Sequence, residues 1–332
     1  MIDIENLCFS YKTYKKRQGL KGSIKDFFKR DIILAKTIKN ISLNVSKGEI
    51  IGLLGKNGAG KTTLIKLLVG LIYPQSGKIK VMNMNPYDKK KAFLKQIGLV
   101  LGQKSQLIWD LPPSETLHML KDVYGISNNE YEAYVDELLK LFDIENKYDV
   151  PVRKLSLGER MKFEIMASVL HKPKLLFLDE PTIGLDINTQ KLIHNFLKKL
   201  NTKYKTTIIL TSHYMKDIEK LADRIVILDN GQICCDMSLN QLLEMYREEE
   251  IVIIETKSNE VCLSIDSQIS KVGDGIFEVF VKGGITTSLI KQIASEVDDL
   301  LSITTKKIPL EDIVFEVFAN GMKNGVKASD KG

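Results

Sequence analysis

Short, predominantly apolar runs recur near residues 50–54, 97–101, 175–178, 207–211 and 224–228, each closed by glycine, serine or aspartate. Unbroken runs of this kind suit strands buried on both faces, as in a parallel sheet covered by helices. The stretches between them keep helical spacing, so the pattern predicts an α/β fold with a mainly parallel sheet flanked by helices. Residues 114–172 interrupt the rhythm with a helix-rich insert, in which Val135, Leu138, Leu139 and Phe142 share one helical face and read as packing. Beyond residue 245 the pattern changes. The charged run 247–250 gives way to predicted strands at 251–256, 261–265 and 276–282, a helix near 287–296, a strand near 300–305 and a last helix from Pro309. The chain therefore reads as a large domain over 1–240 and a small α+β domain over 246–322, with the polar residues 324–332 expected to fray.

Chemistry concentrates where the apolar runs end. The run 50–54 feeds Gly55, Lys56, Asn57, Gly58, Ala59, Gly60, Lys61, Thr62 and Thr63, followed by an apolar helix. Phosphates need many donors without bulk. Gly55, Gly58 and Gly60 let backbone N–H groups curl round an anion, Lys61 adds charge, and Thr62 offers a hydroxyl to Mg2+. The following helix aims its N-terminus at the same place. This is a Walker A loop, and it implies ATP or GTP binding. The run 175–178 ends in Asp179 and Glu180. There a carboxylate can hold Mg2+, and the next one can polarise an attacking water.

Charge and composition change this picture in one place. The chain has 332 residues and a formal net charge of +6, yet residues 12–30 alone hold Lys12, Lys15, Lys16, Arg17, Lys21, Lys25, Lys29 and Arg30 against Asp26. With Ile24, Phe27 and Phe28 on one helical face, this stretch reads either as a short amphipathic helix beside anionic headgroups or a membrane protein's cytosolic end, or as a solvated basic loop. No apolar window reaches the roughly 18–20 residues of a membrane span, and the acidic N-terminus is unlike a signal peptide, so the chain is expected to stay on the cytoplasmic side. The cysteines, Cys8, Cys234, Cys235 and Cys262, lack metal-ligand spacing. Reduced, structural thiols are expected, with Cys234 and Cys235 on opposite faces of a strand.

The order of motifs resembles the ATP-binding subunit of an ABC transporter over roughly residues 1–240. On that resemblance Tyr11 matches the adenine-stacking aromatic, Gln103 the Q-loop glutamine that also reaches the metal, residues 155–161 the signature helix start, Asp179 and Glu180 the Walker B pair, residues 181–186 with Asp186 the D-loop, and His213 the switch histidine. The resemblance implies a P-loop NTPase fold of the ABC type, with 114–172 as its helical subdomain. It further implies ATP and Mg2+ as ligands, with the metal near Thr62, Gln103 and Asp179. Two copies would pair head to tail, so that Ser156 and the Gly158 N–H cap the γ-phosphate held by the partner. The signature departs from the commoner LSGGQ. Leu157 replaces its first glycine and Glu159 its glutamine, so narrowed backbone freedom and a negative charge near phosphate, offset only if Arg160 neutralises it, are expected to weaken closure.

Three stretches, 18–30, 102–112 and 151–158, look like the ATPases of ABC-2 type exporters, close to the viologen and daunorubicin-resistance group. Polysaccharide and teichoic-acid exporters, which also carry an insertion after the tyrosine, are the nearest alternative. The implied protein is an ATP-hydrolysing motor with Glu180, His213 and Gln103 as catalytic groups. It would act at the cytoplasmic face of the membrane through a separate permease and a second ATPase subunit, first expected to be an identical copy. Trp109, the only tryptophan, would lie in the permease groove or in the core. Residues from Pro309 onward resemble the tail of drug-exporter ATPases, where such domains serve dimer contact or regulation. A soluble ABC ATPase acting on ribosomes or nucleic acid, and a regulatory subunit without turnover, are the other readings. One cassette, no coiled coil, no zinc site and an intact Glu180 disfavour them, and no nucleic-acid partner is expected.

Overall fold

The computed structural model describes residues 1–14, 32–102, 105–212, 214–246, 249–258, 260–261, 263–264, 268–282, 285 and 287–320. Gln103, His213, Cys262, the basic stretch from residue 15 with its apolar face at Ile24, Phe27 and Phe28, and the tail expected to fray lie outside them. The chain divides into two compact units, one running to Asp236 and the other beginning at Met237. Among the described residues no helix is long and apolar enough to cross a membrane.

In chain order the strands are β1 (Ile2–Tyr14), β2 (Ile32–Val45), β3 (Ile50–Gly55), β4 (Ser76–Val81), β5 (Ile97–Leu101), β6 (Leu175–Asp179), β7 (Thr207–Thr211), β8 (Arg224–Asp229) and β9 (Gln232–Ser238). Six of them form one sheet in the order β5-β6-β7-β3-β8-β9, with every pair from β5 through β8 parallel. These are the five apolar runs of the sequence plus β9. β6 and β7 are buried at every position, which explains their unbroken apolar pattern.

A second sheet, β2-β1-β4, is antiparallel. Sequence reading does not single it out, although its signal exists: Ile2 and Ile4 alternate with Asp3 and Glu5, and Ile79 and Val81 flank Lys80. The apolar partners face a core shared with Leu64, Ile65 and Leu68 of the helix Lys61–Leu68 and with Phe177 of β6. Each of these fully buried side chains contributes about 1.5–3 kcal/mol. The core thus grips the helix behind the phosphate loop from two sheets.

The insert carries helices Pro113–Tyr124, Asn128–Phe142 and Leu157–Val169. Ser127 caps the second by accepting the Glu130 N–H, and Gly125 ends the first in left-handed geometry. Val135, Leu138, Leu139 and Phe142 are all buried, as their spacing predicts. On β9, Cys234 is exposed and Cys235 buried. Burial pushes the Cys235 thiol up to about 12, so it stays protonated and unreactive.

In the second unit β10 (Glu249–Thr256), β11 (Gln268–Gly273), β12 (Ile276–Lys282) and β13 (Leu300–Lys307) form an antiparallel sheet in the order β11-β12-β10-β13. The helix Thr287–Glu296 contributes Ile293 to a core with Val252, Ile254, Phe277 and Val279. A last helix spans Leu310–Asn320. The predicted strand at 261–265 is corrected: its described residues are irregular, while Val261 and Leu263 pack against the core. Alternate apolar residues can satisfy burial from a loop, and the strand position is taken by β11, which turns into β12 at Asp274 and Gly275.

Candidate active site

The site lies at the C-terminal ends of β3, β6 and β7, where parallel strands leave their last carbonyls and side chains open to a ligand. β3 runs into the loop 56–60, closed by the Ala59 N–H to the Lys56 carbonyl at 3.0 Å, and the helix Lys61–Leu68 begins directly after it. Asn57 and Gly58 are exposed, whereas Ala59, Gly60 and Thr63 are buried beneath them. Two glycines are obligatory because a Cβ at either would run into a backbone carbonyl. Gly60 has φ +111°, and a Cβ there would lie 2.9 Å from the Thr37 carbonyl oxygen and from Ile38. At Gly55 a Cβ would meet the Leu228 carbonyl oxygen at 2.5 Å.

Lys61 is 8% exposed, and its Nζ donates to the carbonyls of Gly55 at 2.6 Å and Lys56 at 3.3 Å. Burial lowers its pKa from the ordinary lysine value, while the charges of Glu180 and Asp179 oppose the shift. These two carboxylates therefore share a field with the loop lysine. Asp179 is the junction. One carboxylate oxygen accepts the Thr62 hydroxyl at 2.9 Å and the other the Thr211 hydroxyl at 2.7 Å. The Glu180 N–H donates to both the carbonyl and the hydroxyl of Thr211 at 3.1 Å. Glu180 itself sits at φ +57°, a left-handed conformation that costs a side-chain-bearing residue about 1–2 kcal/mol. The tie to Thr211 stabilises this turn.

The signature residues belong to another part of the same unit. Ser156 caps the helix Leu157–Val169: its Oγ accepts the Glu159 N–H at 3.2 Å, and Glu159 accepts the Ser156 N–H at 2.8 Å. The other Glu159 oxygen pairs with Lys147 at 3.2 Å. Two expectations are corrected here. Glu159 is neutralised by Lys147, while the Arg160 guanidinium lies over the Trp109 ring at 5.3 Å. Leu157 and Gly158 both have ordinary negative φ, so Leu157 brings no backbone strain, and its side chain lies over Gly184 of the D-loop. Burial would raise the Glu159 carboxyl, but bonds from Ser156 and Lys147 outweigh it and hold the pKa below the usual value.

Asp186 caps the helix Ile187–Tyr204, accepting from the Asn188 and Thr189 N–H groups and the Thr189 hydroxyl, which lower its pKa. Tyr11 is 39% exposed on β1 and packs edge-on against Phe9. Trp109 is exposed, which settles one of its two readings against the core. Thus Gly55 to Thr63, Asp179 and Glu180 come together, Ser156, Gly158, Asp186 and Tyr11 stand on other elements, and Gln103 and His213 fall outside the described residues.

Sequence reading missed three contributors. Thr211 closes the apolar run 207–211, but nothing in that run marks it as the partner of Asp179. Glu164, buried on the helix Leu157–Val169, holds the segment after Gln103 by accepting the Ser105 hydroxyl and the Gln106 N–H. Asp217, 1% exposed, gathers the hydroxyls of Thr182 and Ser212 and the His194 Nε2. Burial would raise the Asp217 pKa, but these three donors lower it below the ordinary carboxylate value.

The family model for ABC transporters matches residues 38–183. The chain is 31% identical over 296 residues to the bacitracin transport ATP-binding protein BcrA of Bacillus licheniformis, across 86% of this chain and 94% of that one. It belongs to the ABC transporter ATP-binding proteins. A similar match, 30% identical over 297 residues, joins this ABC ATPase to the linearmycin resistance ATP-binding protein LnrL of Bacillus subtilis, covering 86% and 95% of the two chains. Both alignments span more of the chain than its first unit, so the likeness reaches the second. Among solved structures, the dimeric structure of MJ0796, a bacterial ABC transporter cassette, is 26% identical with a TM-score of 0.60, covering 72% of this chain and 99% of that one. The resemblance read from the motifs is borne out, as is the P-loop α/β fold.

Proposed function

We propose that this ABC ATPase is the motor of an ABC-2 type exporter, binding ATP with Mg2+, pairing with a second ATPase subunit and driving a separate membrane permease from the cytoplasmic face. The observation that carries the reading is Asp179 bridged between Thr62 and Thr211, beside Lys61 and Glu180. Names of relatives, bacitracin transport and linearmycin resistance among them, support export of a drug-like molecule. The cargo itself would be chosen by the permease.

The donor set fits Mg2+. One hydroxyl and one carboxylate oxygen, 2.9 Å apart, suit a hard cation that prefers oxygen ligands, and Thr62 and Asp179 would hold it. Bound there, the metal would neutralise charge on the β- and γ-phosphates. The residues do the rest. The N–H groups of the loop and Lys61 cradle the phosphates, and Tyr11 stacks on the adenine. Glu180 orients a water and takes up its proton as the new P–O bond forms, while the bond to the β-phosphate oxygen breaks and leaves ADP and phosphate. His213 would contact the γ-phosphate, and Gln103 would help hold the metal. Ser156 and the Gly158 N–H of a second copy would close over the γ-phosphate, aided by their helix N-terminus. Exposed Trp109, beneath the Arg160 guanidinium of the signature helix, and neighbouring Ile108 would offer the permease contact. The second unit would serve dimer contact or regulation.

The test is capture of Glu180→Gln with ATP from solubilised native membranes, followed by mass spectrometry. A stoichiometric integral membrane protein is expected. Ribosomal or nucleic-acid enrichment without one overturns the reading.

A further inference from the structure

We propose that Asp217 is a positioning residue for hydrolysis: its buried carboxylate locks the turn that carries Glu180 to the segment that leads into His213. The inference rests on the role assigned above to Glu180. One Asp217 oxygen accepts the hydroxyls of Thr182, two residues after Glu180, and of Ser212, directly before His213; the Ser212 distance is 2.7 Å. The other oxygen accepts His194 Nε2 at 2.8 Å from the helix Ile187–Tyr204. Thr182, Ser212, His194 and Asp217 are each at most 5% exposed.

A helix-capping role does not account for this. Asp217 sits in the first turn of the helix Met215–Leu221, where an acid often accepts backbone N–H groups. Here its acceptors are filled by side chains from the post-Glu180 turn, the end of β7 and a separate helix. Burying a carboxylate is costly, and apolar residues of the same volume pack as well. What hydrogen bonds add is direction: both hydroxyls must point at one oxygen, which sets the relative position of the two loops to within a bond length.

The consequence follows from the neighbouring tie. Asp179 and Glu180 are bonded to Thr211, and Thr182 is bonded through Asp217 to Ser212. Glu180 is therefore bracketed on both sides against the strand end that continues into His213. Without the second bracket the turn can rotate about the first, and a displacement of about 1 Å at a reacting group can cost up to about a hundredfold in rate. The loop 55–63 that cradles the phosphates carries none of these hydrogen bonds, so nucleotide binding should change far less than turnover.

Steady-state hydrolysis against ATP concentration in the full-length Thr182→Val and Thr182→Ser variants tests this, with Glu180→Gln measured alongside. Valine keeps the volume but removes the donor, so kcat should fall about tenfold or more with KM within about twofold, and serine should restore kcat to within about twofold. Should Thr182→Val lack a cooperative thermal transition, Ser212→Ala removes the other hydroxyl and carries the same expectation. A kcat within twofold of wild type in the folded variant, or a loss confined to KM, overturns the inference. If Glu180→Gln is inactive while Thr182→Val is fully active, only the positioning role fails. Persistent turnover in Glu180→Gln removes the catalytic reading on which it rests.

Discussion

Glu159→Gln restores the commoner signature residue and separates two accounts of this chain's signature. If the Glu159 charge were uncompensated and a partner-held phosphate charge came within about 8 Å of it, the repulsion at an effective dielectric near 20 would be about 2 kcal/mol, or about thirtyfold in ATP affinity of the closed state. The structure argues for a smaller effect. Glu159 is pinned by the Ser156 N–H at 2.8 Å and neutralised by Lys147 at 3.2 Å, so the pair presents little net charge. Glutamine can keep the capping box, since its amide oxygen accepts the same N–H. What is lost is one partly exposed ion pair, about 0.5 kcal/mol, or about 1–2 °C in the first unit's thermal midpoint. The assay is ATP-dependent hydrolysis at several protein concentrations, with thermal denaturation of the same samples. Apparent ATP affinity should move less than about threefold. An improvement of tenfold or more would refute the compensation argument and reinstate repulsion as the cost of this signature.

Gly60→Ala should destabilise the first unit by about 2–4 kcal/mol and abolish ATP binding, because its Cβ would meet backbone, whereas Gly58→Ala, also at positive φ but in open space, should cost only about 1 kcal/mol; chemical denaturation of both variants measures the difference, and equal costs would refute it. Stability should fall as the solution is acidified. Asp217, Asp186 and Glu159 all have lowered pKa values in the folded protein, so the unfolded chain binds protons first; their contribution is complete above the ordinary carboxylate range near pH 4 and is lost as pH drops through the folded values. Thermal midpoints from pH 7 to 3 should show a shallower acid limb in Asp217→Asn, and an unchanged limb would contradict the assignment.

Much of the protein was legible because its signals are local. Gly55 to Thr63 are contiguous, and a strand, a glycine-rich turn and a helix start need no distant partner to be recognised. The five apolar runs likewise announced five strands of one sheet, since burial on both faces leaves a mark on each strand separately. Signals that are equally local but ambiguous misled: Val261 and Leu263 alternate like a strand and pack from a loop. The charge of Glu159 read as repulsion because Lys147, twelve positions away, has no periodic relation to it. From the sequence by itself came the glycine-rich loop, the paired carboxylates Asp179 and Glu180, the family and the five apolar strands of the parallel sheet. Only the tertiary structure decided which strands are neighbours. By inserting β7 between β6 and β3 it brought Thr211 to Asp179, and by converging two helices and a turn it gathered Thr182, His194 and Ser212 on Asp217. Side-chain hydrogen bonds between separate elements, most of them here spanning more than twenty residues, leave no period in either segment, so they become visible only when the chain is folded.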